Sequence, residues 1–225
     1  MPTILITGTN RGIGLELVRQ YAADGWQVIA CCRNPDTASE LKQVQGIVDI
    51  HALDVTSDAD ITRLAGELAG KPIDVLLNNA GITAKNDSFG STDTETWLRV
   101  FHVNCIAPLH LVEALVDNLA AGTQKKAISI STRMGSMGES PSGSYYAYRS
   151  SKAALNMAMV NAAADLRGRL ILAMIHPGWV QTDMGGTQAP LRPQESVAGI
   201  RRVIAGLKPV DSGQFFNHDG SSIPW

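Results

Sequence analysis

The stretch "TILITGTNRGIGLELVRQYA", residues 3–22, decides the fold class of this chain. Its β-branched start predicts a short buried strand, and the residues after position 14 repeat with helical periodicity. Glycines at positions 8, 12 and 14 let the backbone turn tightly and approach a ligand closely. A helix that begins there offers free N–H groups and the positive end of its dipole to a phosphate. The stretch therefore predicts a strand, a glycine turn that could bind a dinucleotide, and a helix, although a glycine-rich turn can also be only a tight turn.

The same alternation of strand and helix continues along the whole chain. Apolar β-branched runs predict strands at 3–7, 27–32, 47–53, 73–78, 127–132, 170–176 and 213–217, and amphipathic stretches predict helices at 12–24, 58–70, 94–121, 145–167 and 194–206. Most of these strands are continuously apolar, as expected when helices cover both faces of a parallel sheet. No composition shift or linker interrupts residues 1–225. The predicted fold is α/β, a single-domain Rossmann fold whose doubly wound parallel sheet has helices on both faces.

Composition excludes several function classes. The 225 residues carry a formal net charge of −2 and contain no dense Lys/Arg cluster, so neither nucleic acid nor a membrane surface is an expected partner. Cys31, Cys32 and Cys105 lie in apolar runs and are expected to be reduced thiols, which suits a cytoplasmic protein. The five histidines lack metal-ligand spacing, and no metal is expected. The opening "MPTILITG" predicts neither a signal peptide nor a membrane span.

The end of the second predicted strand indicates which dinucleotide would bind. Proteins that bind NAD usually place an acidic residue there for the ribose 2′-hydroxyl, but this chain has Cys32 and Arg33. Arg33, together with Arg11 in the glycine turn, could instead bind a 2′-phosphate, which favours NADP(H). Both could also be ordinary surface arginines. In "LDV", Asp54 and the Val55 backbone are placed to contact the adenine, or Asp54 could simply begin a helix.

Helical geometry separates the three tyrosines of "YYAYRSSK", residues 145–152. Tyr148 and Lys152 are four residues apart and share one face, about 6 Å apart along the axis. Tyr146 points away from that face, and Tyr145 lies two turns from the lysine or precedes the helix. An ammonium group beside a phenol favours the phenolate, so Lys152 is expected to lower the pKa of Tyr148 toward the working range of a general acid/base. An ordinary surface pair is the alternative.

Two further features lie near the predicted site. Ser131 and Thr132 end the fifth strand at the edge where such sheets bind ligands, so one hydroxyl could hold a substrate oxygen, or both could form a turn. Pro108 has no N–H and cannot bond the carbonyl of Asn104, four residues earlier. We therefore expect a kink in helix 94–121 and a free carbonyl that could hold a water linking Lys152 to solvent.

Taken together, "TGTNRGIG", "LDV", "NNAG" (78–81), Asn104, "ST" (131–132), "YRSSK" (148–152) and "HPGWVQTDM" (176–184) resemble the classical type of the short-chain dehydrogenase/reductase family. The motifs cover nearly the whole chain, and "YYAYRSSKAALN", "HPGWVQTDMGG" and "DGSSIPW" are most similar to its C-factor-like carbonyl reductase branch. The resemblance implies that Tyr148 is the general acid/base, that Lys152 binds the nicotinamide ribose and lowers the tyrosine pKa, and that Asn104 anchors the relay water. Thr132 aligns with the family's substrate-orienting serine, but whether Thr132 or Ser131 takes that role stays open.

The resemblance also implies a cofactor site and an activity. The expected cofactor-binding residues are Gly8, Asn10, Arg11, Gly12, Ile13, Gly14, Arg33, Asp54, Val55, Asn79, Ala80, Gly81, Tyr148, Lys152, Pro177, Gly178, Val180 and Thr182. The expected activity is NADPH-dependent reduction of a small aldehyde or ketone, with substrate loops at 133–144 and 185–193. A signalling or sensor protein of the C-factor type that binds NAD(P)(H) and acts through a partner is the alternative. Family members are usually homodimers or homotetramers, so one of these assemblies is expected.

Overall fold

The structure is a computed structural model that describes residues 1–84, 87–139 and 143–225. Seven parallel strands form one sheet in the order β3-β2-β1-β4-β5-β6-β7. The strands are β1 Thr3–Thr7, β2 Gln27–Cys32, β3 Ile47–Ala52, β4 Val75–Asn78, β5 Lys126–Ile130, β6 Ile171–His176 and β7 Gln214–Asn217. The predicted fold class is confirmed, and each predicted strand is present with ends that shift by at most two residues.

Helices cover both faces of the sheet. They are α1 Gly12–Ala23, α2 Ser39–Lys42, α3 Asp58–Glu67, α4 Thr94–Phe101, α5 Ala107–Ala114, α6 Val116–Ala121, α7 Tyr146–Asp165 and α8 Pro193–Gly206. One apolar core lies between the sheet and α3, α5 and α7, and a second lies between the sheet and α1 and α8. All residues of β4 and β5 are buried, including the polar Asn78, Lys126 and Ser129, as expected for central strands with helices on both faces of the sheet. Within the described residues, no helix is long and apolar enough to cross a bilayer.

The prediction of one helix over 94–121 is wrong, because the segment is interrupted at 102–106, where Pro108 accounts for the break, and again at Leu115. A turn of π-helix, His102–Ile106, separates α4 from α5, and Pro108 lies at the start of α5. Proline supplies no N–H to the carbonyl of Asn104, so regular α-helical bonding cannot continue through this point. The Ala107 N–H bonds the carbonyl of His102, five residues earlier, as a π turn requires. The interruption that the sequence predicts is therefore present as a π turn, with Asn104 at its centre.

The start of α7 has an unusual backbone. Ser144 and Tyr145 both have left-handed φ values, 57° and 56°, and the regular helix begins at Tyr146. Asp87 stabilises this entry, because its carbonyl accepts from the Tyr145 N–H at 2.6 Å and its carboxylate accepts from the Ala147 N–H at 2.6 Å. Tyr145 therefore precedes the helix, which was one of the two placements predicted for it.

At the amino end of the sheet, the buried carboxylate of Asp74 joins two neighbouring segments. It accepts from the Thr3 N–H at 2.8 Å, from the Thr123 N–H at 2.8 Å and hydroxyl at 2.5 Å, and from the Gln124 N–H at 3.3 Å. Burial by itself would raise the pKa of Asp74, but these hydrogen bonds outweigh it and hold the pKa below its usual range. The ionised carboxylate thus fixes the start of β1 to the segment that leads into β5.

We predict that Asp74→Asn lowers the free energy of unfolding by about 2 kcal/mol at neutral pH, because an amide cannot accept this set of hydrogen bonds. Since the folded-state pKa is depressed, the contribution is fully present above the ordinary value of 3.8 and is lost as the pH falls through the folded value. Denaturant unfolding of both proteins across this range measures the difference. Asp117→Asn, whose side chain is 93% exposed, is the matched control and should change little. A difference that stays constant under acid would contradict the assignment.

Candidate active site

The glycine turn joins β1 to α1 and has the geometry that the sequence predicts. Gly8 and Gly12 have φ values of 69° and 57°, which favour glycine. A Cβ at Gly14 would lie 2.1 Å from the Gly8 carbonyl oxygen, so no side chain fits there. Arg11 is the N-cap of α1 but makes no side-chain capping bond, and the first turn of α1 has no acidic residue. The positive end of this helix is therefore open to an anion such as a phosphate.

The turn after β4 braces the glycine turn. Asn79 donates its side-chain amide to the carbonyls of Thr7 and Gly8, at 2.9 and 3.1 Å. The Thr7 hydroxyl accepts from the N–H groups of Asn79 and Ala80, both at 3.0 Å. A Cβ at Gly8 would lie 2.9 Å from the Cα of Ala80, so the two turns are in contact. Thr7 is a site residue that sequence reasoning missed, since its partners are more than 70 residues away.

The two arginines expected at a 2′-phosphate lie in different surroundings. Arg11 forms an ion pair with Asp183 at 2.7 Å, and both side chains are exposed. Arg33 is exposed at the end of β2, close enough to Asp54 to influence its carboxylate. Burial tends to raise the pKa of Asp54, but hydrogen bonds from Thr56 and the charge of Arg33 outweigh it and lower the pKa. Arg33 thus acts on Asp54 only through its charge, whereas Arg11 reaches the segment after β6 through its ion pair with Asp183.

Lys152 is a buried cation on α7. Its Nζ donates to the carbonyl of Ile130, the last residue of β5, at 2.7 Å. Burial lowers the pKa of Lys152 to about 8, although neighbouring Cys105 acts in the opposite direction. A Cβ at Gly81 would lie 3.7 Å from this Nζ and 3.4 Å from Oδ1 of Asn104. The absence of a side chain at Gly81 therefore leaves space beside the ammonium group.

Asn104 links the π turn to the loop after β4 and to α7. Its Nδ2 donates to the Ile82 carbonyl at 2.8 Å and to the Ser151 hydroxyl at 3.0 Å, and its Oδ1 accepts from the Ile82 N–H at 2.9 Å. Ser151 in turn donates to the carbonyl of Tyr148 at 2.8 Å. The side chain of Asn104 is thus committed to protein partners. Ser151 was also missed, and its position between the tyrosine and the lysine is the only signal that could have indicated it.

The pKa of Tyr148 does not follow the prediction. Burial raises it to about 12, and a hydrogen bond with the Thr132 side chain offsets only part of that increase. The expectation that Lys152 lowers the pKa of Tyr148 below its ordinary value is therefore wrong for this structure. Two physical reasons account for it: desolvation disfavours the phenolate, and the lysine ammonium donates to the Ile130 carbonyl.

The structure separates the two hydroxyls that follow β5. The Thr132 side chain lies near enough to Tyr148 to oppose the rise in its pKa, and its Oγ1 accepts from the Met134 N–H at 3.2 Å. Ser131 is buried and donates to Oδ1 of Asn156 at 2.7 Å. Successive side chains along an extended segment point to opposite sides, so only one of the two can face the tyrosine. The structure brings Thr132 to Tyr148 and does not bring Ser131 there.

The segment after β6 reaches back over the glycine turn. A Cβ at Gly12 would lie 3.4 Å from Cγ2 of Thr182, and the Thr182 hydroxyl accepts from the Gly185 N–H at 3.1 Å. Val180 is buried and pairs with Leu191 as an isolated parallel bridge. This pairing closes the predicted substrate loop 185–193 at its base. Thr182 is therefore held beside the glycine turn.

The remaining expected cofactor residues lie along the same edge of the sheet. Gly178 has a φ of 84°, and a Cβ there would lie 2.3 Å from Leu191. The Pro177 carbonyl accepts from the Ser196 hydroxyl at 2.6 Å, which fixes the turn after β6 to α8. Asn10 lies in the glycine turn, Ile13 in the first turn of α1, and Val55 is buried after β3. Residues 140–142 of the predicted substrate loop 133–144 lie outside the described residues.

This geometry brings together a helix end that is open to an anion, a tyrosine near a threonine hydroxyl, and a buried lysine. All three lie at the carboxyl edge of the central strands, where open α/β sheets bind ligands. In the described part of the chain, no group of three His, Cys, Asp or Glu side chains could hold a metal ion. The arrangement can bind a phosphate-bearing ligand and deliver a proton beside it.

Comparison with known protein sequences identifies relatives of this chain. The short chain dehydrogenase family matches residues 2–192. The C-signal protein of Myxococcus xanthus is 43% identical over 155 residues, which are 68% of this chain and 93% of that protein. The 1-hydroxy-2-glutathionyl-2-methyl-3-butene dehydrogenase of Rhodococcus sp. (strain AD45) is 33% identical over 234 residues and 100% of each chain.

Solved structures with a similar fold superpose on the whole chain. The carbonyl reductase Sniffer of D. melanogaster superposes with a TM-score of 0.94 at 32% identity and covers 100% of both chains. An NADPH-bound carbonyl reductase from chicken fatty liver also gives a TM-score of 0.94, at 34% identity, covering 100% of this chain and 99% of that one. The fold, the site geometry and these relatives lead to one conclusion: the chain belongs to the short-chain dehydrogenase family.

Proposed function

We propose that this protein is an NADPH-dependent carbonyl reductase that reduces a small, apolar aldehyde or ketone. The observation that carries the proposal is the placement of Tyr148 one turn before the buried Lys152 on α7, where Lys152 donates to the last residue of β5 and Thr132 follows that strand. A carbonyl oxygen placed between two hydroxyls could be oriented by one and protonated by the other. The similarity to the Drosophila and chicken carbonyl reductases supports the reaction class.

The residues at the carboxyl edge fit a dinucleotide with a 2′-phosphate. We assign the pyrophosphate to the glycine turn and the start of α1, where glycine is required and the helix end is uncapped. Arg33 and Arg11 would bind the 2′-phosphate, and Lys152 would bind the nicotinamide ribose. The adenine would lie near Asp54 and Val55, the ribose near Asn79, Ala80 and Gly81, and the nicotinamide near Pro177, Gly178, Val180 and Thr182. When bound, the reduced cofactor supplies the hydride that is added to the carbonyl carbon.

The raised pKa of Tyr148 determines which form of the phenol is present. With a pKa of about 12, the phenol is fully protonated at neutral pH and can donate its proton to the carbonyl oxygen as that oxygen gains negative charge. Thr132 would hold the same oxygen through its hydroxyl. The phenolate that remains must regain a proton, and Lys152, with its pKa lowered to about 8, is an ammonium acid that can act near neutrality. A water on the Asn104 carbonyl, which Pro108 leaves without an α-helical partner, would connect the lysine to solvent.

Three exposed apolar side chains favour an apolar substrate. Tyr145 precedes α7, and Trp179 and Met184 lie on the segment after β6. Each is about half exposed, at 48%, 56% and 50%. We propose that these residues, with the loops 133–144 and 185–193, border the substrate.

A signalling or sensor role is the second candidate, and the 43% identity to the C-signal protein favours it. Such a protein would bind NAD(P)(H) and act through a partner. A sensor needs the dinucleotide site but has no use for a proton donor at Tyr148, so the two candidates differ in what the tyrosine contributes. Assembly as a homodimer or homotetramer and a cytoplasmic location stay predictions under either candidate.

We predict that Tyr148→Phe lowers kcat by at least about 100-fold, because the general acid is lost while the ring is kept. Thr132→Ala should lower kcat/KM by about 10- to 100-fold through loss of a bond to the developing oxyanion. Steady-state NADPH oxidation with an aldehyde measures both, and NADPH affinity, followed by fluorescence, should fall by much less than turnover. Ser131→Ala is the matched control and should retain turnover. A signalling activity that survives Tyr148→Phe would favour the sensor, and equal losses at Ser131 and Thr132 would contradict the assignment.

We also predict that Arg33→Ala weakens NADPH binding by about 10-fold or more, because a charge-assisted hydrogen bond to the 2′-phosphate is lost. NADH, which lacks that phosphate, should bind equally well to both proteins. Titration of each cofactor by calorimetry gives the comparison, and Arg11→Ala should act in the same direction. Arg169→Ala, an exposed arginine paired with Asp117, should change neither affinity. Wild-type protein that prefers NADH would overturn the role of both arginines.

A third prediction concerns the buried charge of Lys152. Its folded-state pKa of about 8 lies below the ordinary 10.5, so the folded protein releases this proton first and wild-type stability rises as the pH passes through that window. Lys152→Met removes the cost of burying the charge and should raise the free energy of unfolding at pH 7 by on the order of 2 kcal/mol. The gain should shrink as the pH rises from about 8 to 10.5.

Denaturant unfolding of Lys152→Met at several pH values gives the measurement, and turnover should be lost in the same variant. Lys71→Met, at an exposed position, is the matched control and should show no such pH-dependent gain. A Lys152→Met protein that is less stable than wild type at pH 7 would refute the assignment of an unfavourable buried charge.

A further inference from the structure

Residues 219–225, "DGSSIPW", follow β7 in the sequence and fold back along it. Asn217 donates its N–H to the Ser221 carbonyl at 2.8 Å, and Ile223 donates its N–H to the Phe215 carbonyl at 2.9 Å. Ile223 is buried in the core between the sheet and α7. The segment is therefore an ordered part of the fold, fastened to the sheet on one side.

The same segment binds the loop that follows Thr132. The Ser136 hydroxyl donates to the Pro224 carbonyl at 2.5 Å, and the Gly138 N–H donates to the Trp225 carbonyl at 2.5 Å. The ring of Trp225 stacks on that of Phe215, with centroids 5.8 Å apart and planes inclined by 20°. Since Phe215 is fully buried in β7, this stack anchors Trp225 to the core.

The contact between loop and segment is close-packed. A Cβ at Gly138 would lie 2.9 Å from the Trp225 carbonyl oxygen and 3.1 Å from Cβ of Pro224. Gly138 has no positive φ, so alanine at this position would be strained by the contact alone. Substitution of Gly138 can therefore push the two segments apart without changing the segment itself.

The loop leads directly to the reacting groups. Thr132 accepts from the Met134 N–H through its side chain at 3.2 Å and from the Gly135 N–H through its carbonyl at 2.9 Å. A Cβ at Gly135 would lie 2.9 Å from Cβ of Lys152, so this turn is in close contact with α7 at Lys152. A shift of residues 133–139 would therefore move the Thr132 hydroxyl relative to Tyr148.

We infer that residues Ile223–Trp225 position Thr132, by bracing residues 133–139 against β7. Trp225 is a positioning residue in this account, because it acts through the loop, and Thr132 is the group that would touch the substrate. The expected effect on turnover rests on the proposed carbonyl reductase function. The expected effect on the loop does not depend on that function.

Three variants perturb the brace in different ways: Trp225→Ala removes the stack, Ser136→Ala removes one hydrogen bond, and Gly138→Ala introduces the clash. Each should accelerate amide hydrogen exchange in residues 133–139 and lower kcat/KM for the carbonyl substrate by about 5- to 10-fold, the equivalent of about one hydrogen bond. NADPH affinity should stay within about twofold of wild type, because the glycine turn lies outside the brace. Trp26→Ala, which removes a ring packed edge-on against Tyr21 just before β2, is the matched control. It should lower the melting temperature without altering loop exchange or kcat/KM.

Unchanged exchange in residues 133–139 of all three variants would overturn the inference, as would equal losses of kcat/KM in Trp26→Ala. Loss of NADPH affinity in step with kcat/KM would also overturn it, since that result indicates general unfolding. Faster loop exchange in a protein whose wild type reduces no carbonyl compound would support the brace and refute the proposed function. The experiment therefore distinguishes failure of the brace from failure of the proposed reductase function.

Discussion

The site depends on one buried interaction, the hydrogen bond from Nζ of Lys152 to the carbonyl of Ile130. An ammonium group out of water is unfavourable, and its lowered pKa reflects that cost. The position is maintained because α7 packs on the sheet and because Gly135 allows close approach at the lysine. Once Lys152 is fixed, Tyr148 lies one turn earlier on the same face, beside the end of β5. A stable core thus supports a charge that by itself opposes folding.

The sheet order explains why these groups meet. β1 pairs with β2 on one side and β4 on the other, so the chain reverses its winding direction at the glycine turn. Crevices at such a switch point are where open α/β sheets bind ligands. The contact of Asn79 with Thr7 and Gly8 ties the two central turns together at that point. The dinucleotide site and the proton donor are therefore consequences of one topology.

The sequence predicted the sheet well and the polar details less well. Strands were predictable because apolar β-branched runs bounded by turns leave few alternatives, whereas Pro108 was recognised as a helix breaker without the π turn that accommodates it. Which of Ser131 and Thr132 faces Tyr148 depends on the backbone conformation after β5, and the sequence spacing does not reveal that conformation. The direction of the Tyr148 pKa shift was wrong because helical spacing places a charge near the phenol but gives no information about desolvation. The brace at Trp225 joins residues 87 or more positions apart, beyond the reach of local patterns.

We propose that Tyr148 and Thr132 act on a carbonyl group while NADPH supplies the hydride. Reduction of a panel of aldehydes and ketones with NADPH deuterated at the transferable position tests it most directly, with the alcohol analysed by mass spectrometry and NMR. We expect an alcohol that carries one deuterium at the former carbonyl carbon, formed in equal amount to the oxidised cofactor. Oxidation of NADPH without deuterium in an alcohol, or no reaction with any member of the panel, would contradict it.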